Sequence, residues 1–262
     1  MLKQFKKSQW LGLIILTVLL AFAYLQPFYY PTDENLQHLN ATLQASSPKY
    51  WFGTDHFGRD MLSRLASAIR LSFSLIVISV LCSLVSGLIT GIIAGYFGGM
   101  FDKVLGFLCD MIMALPGLLF ILLFASIAPN SFLALYLGIS LVMWVEFFRM
   151  TRAISKTLAK SPEIESSRLM GMDFWYCVKR HFLPKLAPVM MTLSAFSAGN
   201  AVLALATLGF VNVGLRPPTA ELGLMMTELF PYYYEAPMIF AQPIIAVFLL
   251  VLSFQLLSGQ VK

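Results

Sequence analysis

The chain has 262 residues, of which 58% are hydrophobic and only 12% charged, with a formal net charge of +5. Soluble domains carry about 25% charged and about 45–50% apolar residues. So little charge cannot cover a soluble surface of this size, which excludes an ordinary soluble enzyme and points to an integral membrane protein. The positive balance follows from where Lys and Arg fall along the chain and implies no nucleic-acid partner.

Lys3, Lys6 and Lys7 precede a first apolar run over residues 10–25. No small-x-small cleavage site follows it, so the run reads as a transmembrane helix rather than a removed signal peptide. Tyr24, Phe28, Tyr29 and Tyr30 then form an aromatic belt at the membrane interface.

Residues 31–70 are the most polar stretch of the first half. Within YWFGTDHFGRDMLSRLASAIR, Gly53 marks a turn, Thr54 or Asp55 caps a following helix, and Gly58 allows close approach. Asp60 and Arg64, four apart, are placed to pair on one helical face. The expectation is a capped, ion-paired surface helix lying near the membrane. Asp55, His56 and Asp60 are the one cluster of ionisable groups that an enzyme could use.

A second span covers residues 71–96. Its Gly87, Gly91 and Gly95 recur every four residues, with Ser79, Ser83 and Thr90 nearby. A stripe of small residues lets another helix approach closely in lipid, where no hydrophobic drive brings helices together. The sequence GYFGGMFDKV then reads as a tight turn, with Gly95, Gly98 and Gly99 supplying backbone freedom. A third span, 105–127, contains Asp110 and Pro116; the proline predicts a kink or local break. A fourth, 132–154, carries Glu146 near its inner end, with Arg149 positioned to pair with it.

Residues 156–188 are the only long charge-dense segment past residue 70. Ser161 caps a helix, Pro162 suits its first position and Glu163 favours its positive end. Gly171 ends that helix. Asp173 caps a second one, DFWYCVKRHF, and Pro184 and Pro188 lead into a fifth span over 189–211. A plain solvated loop would not need Leu169, Met170, Phe174, Trp175 and Tyr176, so the segment reads as a knob for a partner's groove. In the fifth span Asn200 should face other helices or a pore, because a buried amide needs a partner. Residues 212–236 form a loop in which LGLMMTELF is a short amphipathic or re-entrant helix, and a sixth span follows at 238–257.

Six spans put both termini on one side. Lys3, Lys6, Lys7, Lys103 and Lys262, with the basic residues of 149–185, lie on the side that carries the termini and the 156–188 loop. Lys49, Arg59, Arg64, Arg70 and Arg216 lie on the other. The excess of positive charge assigns the first side to the cytoplasm and leaves 31–70 and 212–236 outside. Cys82, Cys109 and Cys177 lack metal-ligand spacing, and His38, His56 and His181 are isolated. No phosphate-binding Gly-Lys loop or nucleophile elbow occurs. No metal site is expected.

These segments together resemble a known family. Glu165-Ser166-Ser167, Gly171 and His181-Phe182-Leu183-Pro184 match an EAA-type coupling motif. Gly53-Thr54-Asp55, Gly58-Arg59-Asp60 and Ser63-Arg64 match an outer-loop signature. Gly95-Tyr96-Phe97-Gly98-Gly99 with Asp102, and Gly214-Leu215-Arg216-Pro217-Pro218 through Gly223, extend the likeness over nearly the whole chain. The chain resembles the permease subunits of bacterial binding-protein-dependent ABC transporters. More narrowly, it resembles the second permease subunit of the dipeptide, oligopeptide and nickel group.

The resemblance implies an all-α polytopic membrane protein with a type I importer (MetI-like) fold, forming one transmembrane domain in the bacterial inner membrane. It implies a homologous second permease, two ATP-binding subunits and an extracytoplasmic substrate-binding protein as partners. ATP and Mg would be held by the ATPases, with no cofactor on this chain. Glu165, Ser166, Ser167, Gly171, Leu183 and Pro184 would couple to an ATPase. Gly53, Thr54, Asp55, Gly58, Arg59, Asp60 and Arg64 would form the outer signature, Gly87, Gly91 and Gly95 a packing seam, and Asn200 a possible pathway contact. The cargo implied is a peptide, with nickel or a metal chelate as the alternative. An ion-coupled secondary transporter is the rival of a different class, but no inverted repeat is evident. The chain departs from the group at Ser166 and Ser167 (usually alanines), Leu222 (usually tryptophan), Asn212 (usually glycine) and in a C-terminal tail reduced to Ser258-Gly259-Gln260.

Overall fold

The computed structural model describes residues 6–259, which are helical apart from loops and turns. Lys3, Gln260 and Lys262 lie outside the described residues. Five helices are long and apolar enough to cross a membrane: α1 (Lys7–Tyr29), α2 (Met61–Phe97), α5 (Phe132–Leu158), a helix from Phe174 to Phe210, and α10 (Pro237–Leu257). A sixth apolar stretch, a broken span or a re-entrant loop, is split into α3 (Gly99–Met113) and α4 (Gly117–Ile127), bent by 81° where Pro116 interrupts the hydrogen-bond ladder. The expected span over 105–127 is therefore not one rod. At 1.5 Å per residue α4 is only about 16 Å long, roughly half the apolar thickness of a bilayer.

Gly87, Gly91 and Gly95 of α2 lie against Phe147, Thr151 and Ser155 of α5, so the stripe is an internal seam. A Cβ on Gly91 would stand 2.6 Å from the Thr151 Cβ, closer than two carbons can approach. The missing side chains let these two helices pack backbone to backbone. A second close approach joins the ends of the chain. Gly12 of α1 packs on Ser253 and Leu256 of α10, and Gln9 Nε2 donates to the Leu257 carbonyl at 3.2 Å. The start of α1 and the end of α10 thus share one end of the bundle. The 162–182 region lies at that same end, against Tyr96 and Phe97 where α2 finishes.

Several local expectations are corrected. Residues 61–70 are not a separate surface helix but the buried first turns of α2, which runs unbroken for 37 residues. Its cap is Asp60, whose side chain accepts from the Ser63 N–H at 2.9 Å, not Thr54 or Asp55. Asp60 does not pair with Arg64; it takes Tyr30 Oη at 2.7 Å instead. Glu146 and Arg149 do not pair either. Ser197 Oγ donates to Glu146 at 2.7 Å, while Arg149 Nη1 turns to Met113 Sδ at 2.8 Å. The Ser161 hydroxyl makes no cap bond. Pro184 and Pro188 sit inside the helical segment rather than ahead of it.

Candidate functional sites at the two ends of the bundle

At the end carrying the termini, α6 (Pro162–Leu169) and α7 (Phe174–Cys177) are joined by a turn in which Gly171 adopts φ +74°. Nothing lies within 4 Å of where its Cβ would be, so conformation rather than space calls for glycine here. Asp173 caps α7 by accepting from the Tyr176 N–H at 2.8 Å, as its position predicted. A π-helical turn, Val178–Phe182, then carries the chain into α8 (Leu183–Phe210).

One face of this helix–turn–helix is anchored. Ile164, Ser167, Cys177 and Phe182 are buried. Phe174 packs between the rings of Tyr96 and Phe97, with centroids 5.0 and 5.1 Å away, and Phe182 is edge-on to Tyr96 at 5.9 Å. Arg168 lies 4.3 Å over the Tyr96 ring and donates to its hydroxyl at 3.2 Å. Ser167 Oγ donates to the Glu163 carbonyl and sits 3.0 Å from His181 Nε2, so it binds inward. Lys185 Nζ lies 2.5 Å from Glu163 and holds that exposed carboxyl below the usual carboxylate range.

The other face is bare. Leu169 is 85% exposed, Met170 66% and Trp175 64%. Glu165, Ser166, Gly171, Leu183 and Pro184 are exposed as well. An apolar patch raised on a rigid aromatic footing suits burial against another protein.

At the opposite end, the loop before α2 meets α9 (Leu222–Leu229). Thr54 and Asp60 form an antiparallel bridge that closes a loop turned by Gly53 (φ +77°) and Gly58 (φ +70°). A side chain on Gly58 would collide with the His38 carbonyl. Inside the loop, Asp55 accepts from the Phe57 and Arg59 N–H groups at 2.8 and 2.9 Å and from Arg59 Nε at 2.6 Å. Arg59 and Arg64 both reach Glu228 of α9, at 3.0 and 2.8 Å. Arg64 also lies 3.4 Å from Asp55.

Two carboxylates and two guanidiniums thus cancel in a nearly dry site, where Arg59 is 1% and Arg64 0% exposed. A buried charge persists only when paired in this way. The signature residues Gly53, Thr54, Asp55, Gly58, Arg59, Asp60 and Arg64 therefore build a clamp on α9. They do not form an open reaction centre. Glu228 completes the clamp and was not found from sequence, because nothing local marks a partner 164 residues away from Arg64.

Beside the clamp, Glu221 caps α9 by accepting from the Gly223 and Leu224 N–H groups at 2.9 and 2.8 Å. Burial pushes its carboxyl up to about 7 despite those bonds. Gly209 of α8 leaves the room this carboxyl occupies. Asn212 takes φ +58°, a left-handed conformation that glycine adopts freely and asparagine tolerates better than most residues.

Asn200 of α8 is only partly buried. It lines a cavity of about 120 Å³ with Gly117, Glu146 and Ser197. Among the described residues no group of three or more His, Cys, Asp or Glu side chains could hold a metal ion.

Residues 87–261 match the family model described as "Binding-protein-dependent transport system inner membrane component". The chain is 33% identical over 259 residues to a dipeptide transport system permease protein of Haemophilus influenzae, covering 96% of this chain and 88% of that one. It is 30% identical to a glutathione transport system permease protein of Pectobacterium atrosepticum (96% and 83% covered). It is 28% identical to a nickel transport system permease protein of Escherichia coli K12 (98% and 94%). Among solved structures, the MetNI methionine ABC transporter in an inward-facing form aligns with a TM-score of 0.54 at 17% identity, covering 77% of this chain and 98% of that one. At that identity the likeness carries the fold alone.

Proposed function

This chain belongs to the family of binding-protein-dependent transport system inner membrane components, and from that premise we propose that the cargo it helps to import is a short peptide. It is a permease subunit of an ABC importer, a multi-pass protein of the inner membrane and not an enzyme. The observation that favours a peptide is the relatives' own naming. Those named for dipeptide and glutathione transport reach 33% and 30% identity. Nickel or a metal chelate is the second reading, favoured by the 28% identical nickel permease that matches 98% of this chain.

In this reading a homologous permease completes the pathway, and two ATPases bind beneath. The exposed face of α6 and the Gly171 turn enters a groove on one ATPase. Glu165, Ser166, Leu169 and Trp175 make the contact, while Ser167 holds the knob to its footing. A binding protein delivers cargo to the outer loops, where the Asp55–Arg59–Arg64–Glu228 clamp sets the position of α9. The support is physical: a bare apolar face on a rigid base at one end, and a charge-neutral clamp at the other.

The test is to co-express the chain with its neighbouring transporter genes, reconstitute the complex and measure ATP-dependent uptake of labelled dipeptides against Ni²⁺ and its chelates. Peptide uptake that needs the binding protein is expected. Uptake of the metal alone refutes the peptide reading, and uptake without any ATPase subunit refutes the coupling role.

A further inference from the structure

Glu146 lies about 21 Å along α5 from Phe132, and so in the inner half of an apolar layer about 30 Å thick, three residues before Arg149. A carboxylate there is costly unless something offsets its charge. Its one direct bond is from the neutral Ser197 hydroxyl, at 2.7 Å. No ion pair to Glu146 occurs among the described residues; Arg149, the nearest cation in sequence, has turned away to Met113. The carboxylate instead faces the cavity of about 120 Å³ that it shares with Asn200 and with Gly117 at the break between α3 and α4. Glu146 and Asn200 are both only partly buried.

We propose that this cavity is a subsite for a primary ammonium group. Glu146, Asn200 and Ser197 are the three polar residues among its eleven lining residues, and they can supply three oxygen acceptors: a Glu146 carboxylate oxygen, the Asn200 amide oxygen and the Ser197 hydroxyl, which keeps its lone pairs while donating to Glu146. An ammonium has three N–H donors and no acceptor, which matches that set. A hard divalent cation would ask for six or more oxygens. A water takes about 30 Å³ of liquid volume, so the space holds a charged head with a few water-sized neighbours but not a whole peptide. The site would offset the cost of carrying the cation through the low-dielectric layer. Identifying that ammonium as a peptide's N-terminus rests on the reading above; the site itself does not.

The experiment uses the full chain in its purified complex. Dicyclohexylcarbodiimide, which modifies carboxyl groups in apolar surroundings, is applied with increasing ethylammonium, and the loss of unmodified Glu146 is quantified by mass spectrometry, so that the N-acylurea adduct and the ethylamide formed when free ethylamine intercepts the activated carboxyl both count as labelling. Ethylammonium at about ten times its dissociation constant should slow labelling about tenfold, because the fraction of empty sites falls as 1 + [L]/Kd rises, while acetamide at the same concentration should not. Asn200→Ala should remove most of that protection while Glu146 still labels, and Glu146→Gln should remove the adduct. Labelling that ethylammonium leaves unchanged, or a Glu146 that never labels, overturns the proposal. Because this test needs no cargo, a failure of peptide uptake would count against the peptide reading and leave the subsite standing.

Discussion

Substituting Glu228 should weaken the outer clamp more than any exposed ion pair would suggest. Its carboxylate receives Arg59 at 3.0 Å and Arg64 at 2.8 Å, and its own side chain is 12% exposed. In Glu228→Ala, Arg64, with 0% exposure, keeps only Asp55 at 3.4 Å and the Pro218 carbonyl at 3.4 Å. Asp55 must then balance two guanidiniums. Leaving a buried charge uncompensated costs about 3–5 kcal/mol; the partial exposure of Glu228 argues for the lower figure, about 3 kcal/mol. At about 2–4 °C per kcal/mol for a chain of this size, the unfolding midpoint in detergent should fall by about 6–12 °C. Limited proteolysis should cut sooner between residues 31 and 60. The decisive comparison is the double variant Glu228→Gln with Arg64→Met. It removes one charge of each sign and should recover part of the loss suffered by Glu228→Gln alone. If Glu228→Ala melts with the parent, or the double variant is worse than the sum of its parts, these charges do not hold α9.

The seam and the turns separate space from strain. Gly91→Leu should cost about 1–3 kcal/mol and lower the yield of folded protein, since its Cβ would already meet Thr151 at 2.6 Å. At Gly171 the surroundings are open but φ is +74°. Gly171→Val should therefore distort the turn, at about 1–2 kcal/mol, and reduce co-purification of the ATPases, whereas Gly171→Asn should retain them. Glu221 gives a pH dependence of defined sign. Its folded-state pKa of about 7 exceeds the ordinary 4.5, so the fold binds the extra proton. Stability from this group is full below about 4.5 and is lost as pH rises to about 7, a change of about 3 kcal/mol. Glu221→Gln should flatten that slope in thermal unfolding recorded across the range.

What sequence revealed here depended on how locally each feature is encoded. The glycines at 87, 91 and 95 announce a close helix contact by spacing alone, though not that Phe147, Thr151 and Ser155 meet it. Pro116 announced a break but not its size, because the 81° bend also depends on α3 crossing α5, where Asp102 takes Arg152 and Lys156. The outer signature was misread as a surface helix because its charges looked solvated. Their burial follows from Glu228, which belongs to α9, far along the chain. Glu146 was expected to pair with Arg149 by helical proximity. That rule misses what α8 brings alongside, a hydroxyl from Ser197.

The passage from α7 through the π turn into α8 has a mechanical corollary. From Phe174 to Phe210 the chain is one helix of 37 residues, about 55 Å at 1.5 Å per residue. One tip carries Trp175 on the exposed patch, and the other ends where Thr227 of α9 hydrogen-bonds the Phe210 carbonyl at 2.7 Å. Under the coupling role proposed above, a push on the inner tip would travel to the outer loops along this one helix rather than through a relay of side chains. The π turn at Val178–Phe182 and Pro188, the two irregular points of the helix, both lie near its inner tip, so bending there would swing the long outer arm as a unit.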